Sequence, residues 1–93
     1  MNVSLLFQSI DSYMHANPKL EVKGLAMVFN PIDNQITTEL TLPLYYTGIG
    51  EKAYVAEKDG QAQSFTLQRD YTVDIKVDLE PFGITWFTIR EEK

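Results

Sequence analysis

Tyr71, Val73, Ile75, Val77 and Leu79 alternate without a break with Thr72, Asp74, Lys76, Asp78 and Glu80. Successive side chains on an extended chain point to opposite sides, so a period of two over this length predicts a half-buried β-strand. Glu80-Pro81-Phe82-Gly83 reads as a turn, and Ile84 to Ile89 as a second strand that is apolar on both faces. That double apolarity places Trp86, the sole tryptophan, in the core.

The same alternation recurs upstream. Ile36, Thr38, Leu40, Leu42 and Leu44 interleave with Thr37, Glu39, Thr41 and Pro43, a second long half-buried strand whose proline puts its far end at a sheet edge or bulge. Gly24 to Phe29 is a compact apolar run, bounded by Asn30-Pro31-Ile32-Asp33 in the residue order of a type I turn. Tyr45 to Gly50 is a glycine-punctuated loop. Ala53 to Glu57 and Gln63 to Leu67 flank Lys58-Asp59-Gly60-Gln61, where Asp-Gly marks a tight hairpin turn. Arg69-Asp70 lacks positive-φ residues and reads as a corner between sheets. Residues 2–16 support two readings. Val3, Leu6, Phe7, Ile10, Tyr13 and Met14 share a face at helical spacing, and a short strand over Asp11 to Ala16, paired with the next segment, competes.

Six or seven strands spaced by roughly 8–12 residues, with at most one N-terminal helix or arm, predict an all-β fold, an antiparallel β-sandwich. Alternating βα units are missing, which argues against a doubly wound α/β fold. Ninety-three residues make one domain, and 44% apolar content is enough for a two-layer core without cross-links. The absence of cysteine rules out disulfides, thiolate zinc sites and thiol nucleophiles. Thirteen acidic against eight scattered basic residues give a net charge of −5, which repels a phosphate backbone and makes nucleic acid an unsuitable partner. No apolar run approaches the roughly 18 residues of a membrane-spanning helix, and no signal-peptide pattern opens the chain.

Candidate chemistry is sparse. His15 is the only histidine, and Asp11 lies four residues earlier, on its face if the segment is helical; a surface or structural histidine is the plainer reading. Asp74, Asp78 and Glu80 share a strand face at intervals of two and four residues, which brings carboxyls to about 7 Å, within reach of glycosidase geometry. Thr72 and Lys76 complete that face, as on an ordinary solvated surface, and neither a metal loop nor a cofactor motif is present. Tyr45, Tyr46, Tyr54 and Trp86 are candidates for a platform stacking on the apolar C–H face of a sugar, with Tyr45 and Tyr46 equally suited to packing across a corner or against a neighbouring domain. Asn2-Val3-Ser4 fits the N-glycosylation pattern, which carries no weight alone.

His15-Ala16-Asn17-Pro18, KGLAMVFNP at 23–31, LTLPLYYTGI at 40–49 and LQRDYTVDIKVDLEPFGITWFTI at 67–89 follow one another in an informative order. Together they resemble the C-terminal antiparallel β-sandwich that follows the catalytic (β/α)-barrel in bacterial glycoside hydrolases of the α-amylase and α-galactosidase kinds, in versions common in Bacteroidetes. The likeness runs from about residue 10 onward. It implies a non-catalytic accessory domain in carbohydrate metabolism, with no catalytic residue or cofactor of its own, whose partner is the upstream barrel of the same parent protein, and it leans towards a periplasmic or extracellular setting. Residues 1–9 depart from the pattern and read as an arm or the tail of a preceding segment, with 10–93 the sandwich. Bare Val3, Leu5, Leu6 and Phe7 would then favour self-association. Two rival functions stand beside this: a carbohydrate-binding module using Tyr45, Tyr46 and Tyr54, and an immunoglobulin-like domain whose unpaired edge strand recruits another protein.

Overall fold

A computed structural model describes residues 10–92. The proposed N-terminal arm, 1–9, and its suggested helix and self-association lie outside the described residues. Among the described residues there are seven strands: β1 (Asp11–Ala16), β2 (Val22–Phe29), β3 (Ile36–Pro43), β4 (Lys52–Glu57), β5 (Gln63–Thr66), β6 (Thr72–Leu79) and β7 (Ile84–Arg90). They form two antiparallel sheets, one of five strands in the order β1-β2-β7-β4-β5 and one of two, β3-β6. The expected all-β antiparallel sandwich is the fold.

The alternation read from the sequence sets the small sheet. Val73, Ile75, Val77 and Leu79 are buried, and across the pairing Leu42 is buried with Leu40 packed against the core. The opposing layer comes from Ala26 and Val28 of β2, Phe87 and Ile89 of β7, and Ala53 and Val55 of β4. Leu44 and Ile49 close one end beside a 3-10 turn at Tyr45–Thr47. Tyr71 is not the first residue of its strand, as the alternation implied. Its φ is +62°, and its N–H closes a turn onto Gln68 O at 2.9 Å. That turn is the predicted corner: β5 belongs to the large sheet, β6 to the small one, and Tyr71 supplies the left-handed residue there.

Pro43 sits opposite Thr72. Leu44 N donates to Tyr71 O at 2.8 Å, so in an antiparallel ladder the next rung, Pro43 with Thr72, is a non-hydrogen-bonded one. The proline's missing N–H is therefore not needed there. Two other expectations shift. Ile32 N donates to the Asn30 side chain at 3.1 Å, so an Asx turn replaces the backbone-closed turn read at 30–33. The connection between β4 and β5 runs over 58–62 as the flanking strands predict, but its tight turn centres on Lys58-Asp59 rather than Asp-Gly; Gly60 N bonds Glu57 O at 2.9 Å and Lys58, not the glycine, has positive φ. Pro81-Phe82 does form the predicted turn, with Gly83 N on Glu80 O at 2.8 Å.

β7 holds the largest correction. Thr85, Phe87 and Ile89 point inward, so Trp86 lies on the outer face and is half-buried rather than in the core. A strand with apolar residues in both phases gives no phase by hydropathy. Here Thr85 goes inside with Phe87 and Ile89, its hydroxyl donating to Glu57 Oε2 at 2.5 Å.

Candidate functional site

The strand-borne carboxylates are built into a polar ladder. Asp74 stands across from Thr41 and Asp78 from Thr37, on the outer face of the small sheet. Thr41 Oγ1 donates to Asp74 Oδ1 at 2.6 Å and Gln68 Nε2 to Asp74 Oδ2 at 2.8 Å. Gln35 Nε2 and Thr37 Oγ1 donate to Asp78 Oδ1 at 2.8 and 2.9 Å. Donors stabilise the ionised form. The Thr41 and then Gln68 bonds hold Asp74 below its ordinary value of 3.8, and the Gln35 and then Thr37 bonds do the same for Asp78. A glycosidase acid needs its pKa raised, so neither carboxyl is suited to that role. Glu80 is exposed in the following turn and makes no side-chain hydrogen bond recorded among the described residues.

Depressed values tie these groups to folding. Their contribution is full above the unfolded value of 3.8 and is lost as pH falls through the lower folded value. Thr41→Val and Gln68→Ala should each move the Asp74 titration up towards 3.8, and Gln35→Ala that of Asp78. Carboxyl-carbon NMR titration checks this; an unmoved midpoint contradicts the assignment.

The His15–Asp11 pair dissolves for a geometric reason. Both lie on β1, a strand, where four residues span about 13 Å; the pairing required a helix. His15 is exposed, beside Leu25 on β2. Among the described residues no group of three or more His, Cys, Asp or Glu is arranged to hold a metal ion.

Two aromatic features remain. Thr47 is buried, donating through Oγ1 to Leu44 O at 2.6 Å and accepting Ile49 N at 3.2 Å. With Leu44 and Thr47 both turned inward, Tyr45 and Tyr46 are displayed, 64% and 78% exposed. Their rings meet edge to face with centroids 5.2 Å apart, and Tyr71 joins on Tyr45 at 5.6 Å. The alternation predicts Tyr71 on the dry face of a strand; its left-handed backbone instead turns it out to complete a three-tyrosine knuckle. Tyr54 is elsewhere. It alternates with buried Ala53 and Val55, is half-buried on the outer face of β4, and makes no recorded aromatic contact among the described residues.

The outer face of the five-stranded sheet is the larger feature. Tyr13, Met27 and Trp86 are direct rung partners across β1, β2 and β7. Phe29 and Ile84 form the neighbouring rung, with Leu25 on the other side of Met27. Tyr13, Met27, Phe29 and Ile84 are all exposed. The signal for this was in GLAMVF: Gly24, Ala26 and Val28, the small set, face the core, while Leu25, Met27 and Phe29, the large set, face out. Comparison with protein-family models, with curated proteins and with solved structures returned no match.

Proposed function

We propose that the chain is a non-catalytic accessory β-sandwich domain of a glycoside hydrolase, packing against and stabilising the enzyme's catalytic barrel. The carbohydrate-active setting rests on the sequence resemblance. The observation that carries the docking role is the apolar row Tyr13–Met27–Trp86, flanked by Phe29 and Ile84, on the outside of the large sheet. Contiguous exposed apolar surface rimmed by polar residues is a property of interaction sites, and aromatic residues with methionine are what interface centres favour. The reading expects the gene to encode a barrel directly upstream and the isolated domain to hydrolyse no glycoside. In the whole enzyme, Met27→Lys should lower the barrel's melting temperature while leaving the isolated domain's nearly unchanged. Equal effects on both, or none on the barrel, count against it.

The knuckle of Tyr45, Tyr46 and Tyr71 favours a second reading, a carbohydrate-binding module, because displayed aromatic faces complement the C–H faces of sugars. Calorimetric titration with soluble polysaccharide separates the two. Heat abolished by Tyr45→Ala with Tyr46→Ala supports the sugar reading, and no heat at millimolar sugar removes it.

A further inference from the structure

Among the described residues the small sheet has two strands against five, and β6 ends it beside a groove. Because Tyr71 O faces β3, the antiparallel ladder turns the N–H and C=O of Val73, Ile75 and Val77 towards β3 and those of Thr72, Asp74, Lys76 and Asp78 away. Thr72 O is taken by Gln68 N at 2.9 Å. The outward main-chain groups of Asp74, Lys76 and Asp78 have no backbone partner recorded among the described residues.

A cavity of about 760 Å³ runs beside this edge. Three successive β6 residues, Asp74, Ile75 and Lys76, line it, although their side chains alternate in direction. Only a space along the strand's edge meets all three. Its far wall is the β4–β5 hairpin, with Val55, Phe65 and Phe87 giving an apolar floor. The rim is acidic: Glu39, Glu57 and Asp74 against the single cation Lys76.

We propose that this groove accepts an extended peptide segment of alternating apolar and basic residues, which adds to the free edge of β6 as a third strand of the small sheet. Main-chain bonds to Asp74 and Lys76 supply the register, alternate apolar side chains enter the inter-sheet space, and basic side chains meet the carboxylates. Charged residues on an edge also deter aggregation, but that role requires no apolar groove beneath them. At about 3.3 Å per residue the open stretch of β6 fits about four to six residues. The surface is distinct from the outer face proposed to dock on a barrel, so either assignment can fail alone.

The probe is an acetylated, amidated hexapeptide alternating lysine with valine, titrated by calorimetry and followed by amide NMR. Binding with shifts centred on Asp74 and Lys76 is expected. Two isomers N-methylated on alternate amides block opposite edges of the peptide. One should bind at least about tenfold more weakly and the other nearly as well as the parent. Lys76→Pro deletes an outward N–H without touching the β3 ladder, and should weaken binding about tenfold; Lys76→Gln, removing a like charge, should not weaken it. If Lys76→Pro fails to fold, the methylated pair still decides. No shift at about 1 mM peptide, or equal loss for both isomers, overturns the proposal. A concentration-dependent dimer sensitive to methylated peptide would give this edge to a second copy of the chain and would also overturn it.

Discussion

Asn30→Ala is expected to lower the stability of the domain by about 2–4 kcal/mol, read as a shifted urea midpoint with an unchanged slope. Asn30 is fully buried although polar. Its Nδ2 donates to Asn34 O at 2.7 Å and Glu80 O at 2.9 Å, and reaches Leu79 O at 3.5 Å, while Oδ1 accepts Ile32 N. Its own N–H donates to Gly83 O at 2.9 Å. One side chain thus pins the loop leaving β2 to the turn between β6 and β7. Alanine removes a donor shared by several carbonyls and an acceptor for one amide, and a buried polar group left unpaired costs about 1–3 kcal/mol. In a domain of this size each kcal/mol is worth about 4–8 °C of melting temperature. Asn30→Asp retains the acceptor but points a second oxygen at the carbonyls, so it should rescue little. A loss below about 1 kcal/mol for Asn30→Ala would mean the clamp is not needed.

Ile89→Ala should cost about 2–5 kcal/mol, and Ile89→Val only about 0.5–1.5. Ile89 is fully buried on β7, the middle strand, with Gly24 and Val55 as its rung partners. A methyl group at Gly24 would lie 3.3 Å from Ile89 Cδ1 and 3.0 Å from Met14 Cε. The isoleucine therefore fills space that the glycine leaves open, and a glycine has no side chain with which to close the cavity once Ile89 is cut back. The two sites should be coupled. Gly24→Ala is crowded beside isoleucine, and adding it to Ile89→Ala should recover part of the loss, where independent sites would give simple addition.

Much of the architecture was legible because period-two patterns are phase-locked to burial. Val73 to Leu79 faces the core as the alternation says, and the Arg69-Asp70 corner carries the chain from one sheet to the other. What failed did so where hydropathy supplies no phase. In Ile84 to Ile89 each phase is apolar and carries one threonine, so the pattern does not say which way Trp86 points; Thr85, Phe87 and Ile89 go in, and Thr85 bonds Glu57. Tyr71 falls outside the strand because its left-handed φ delays the start of β6 to Thr72, a conformation normally left to glycine or asparagine. The site was less readable than the fold. Asp74 and Asp78 were visible as a wet face, but their hydrogen-bond partners come from residues as distant as Gln35 and Thr41. The exposed row on the large sheet required the pairing of three strands from opposite ends of the chain.

Side-chain oxidation footprinting measures the proposed docking through that row most directly. The protein encoded by the whole gene is compared with the isolated domain. Trp86, Met27 and Tyr13 are expected to react several-fold more slowly in the whole protein, with Tyr45 and Tyr46 unchanged. Equal rates for Trp86 and Met27 in the two samples would contradict it.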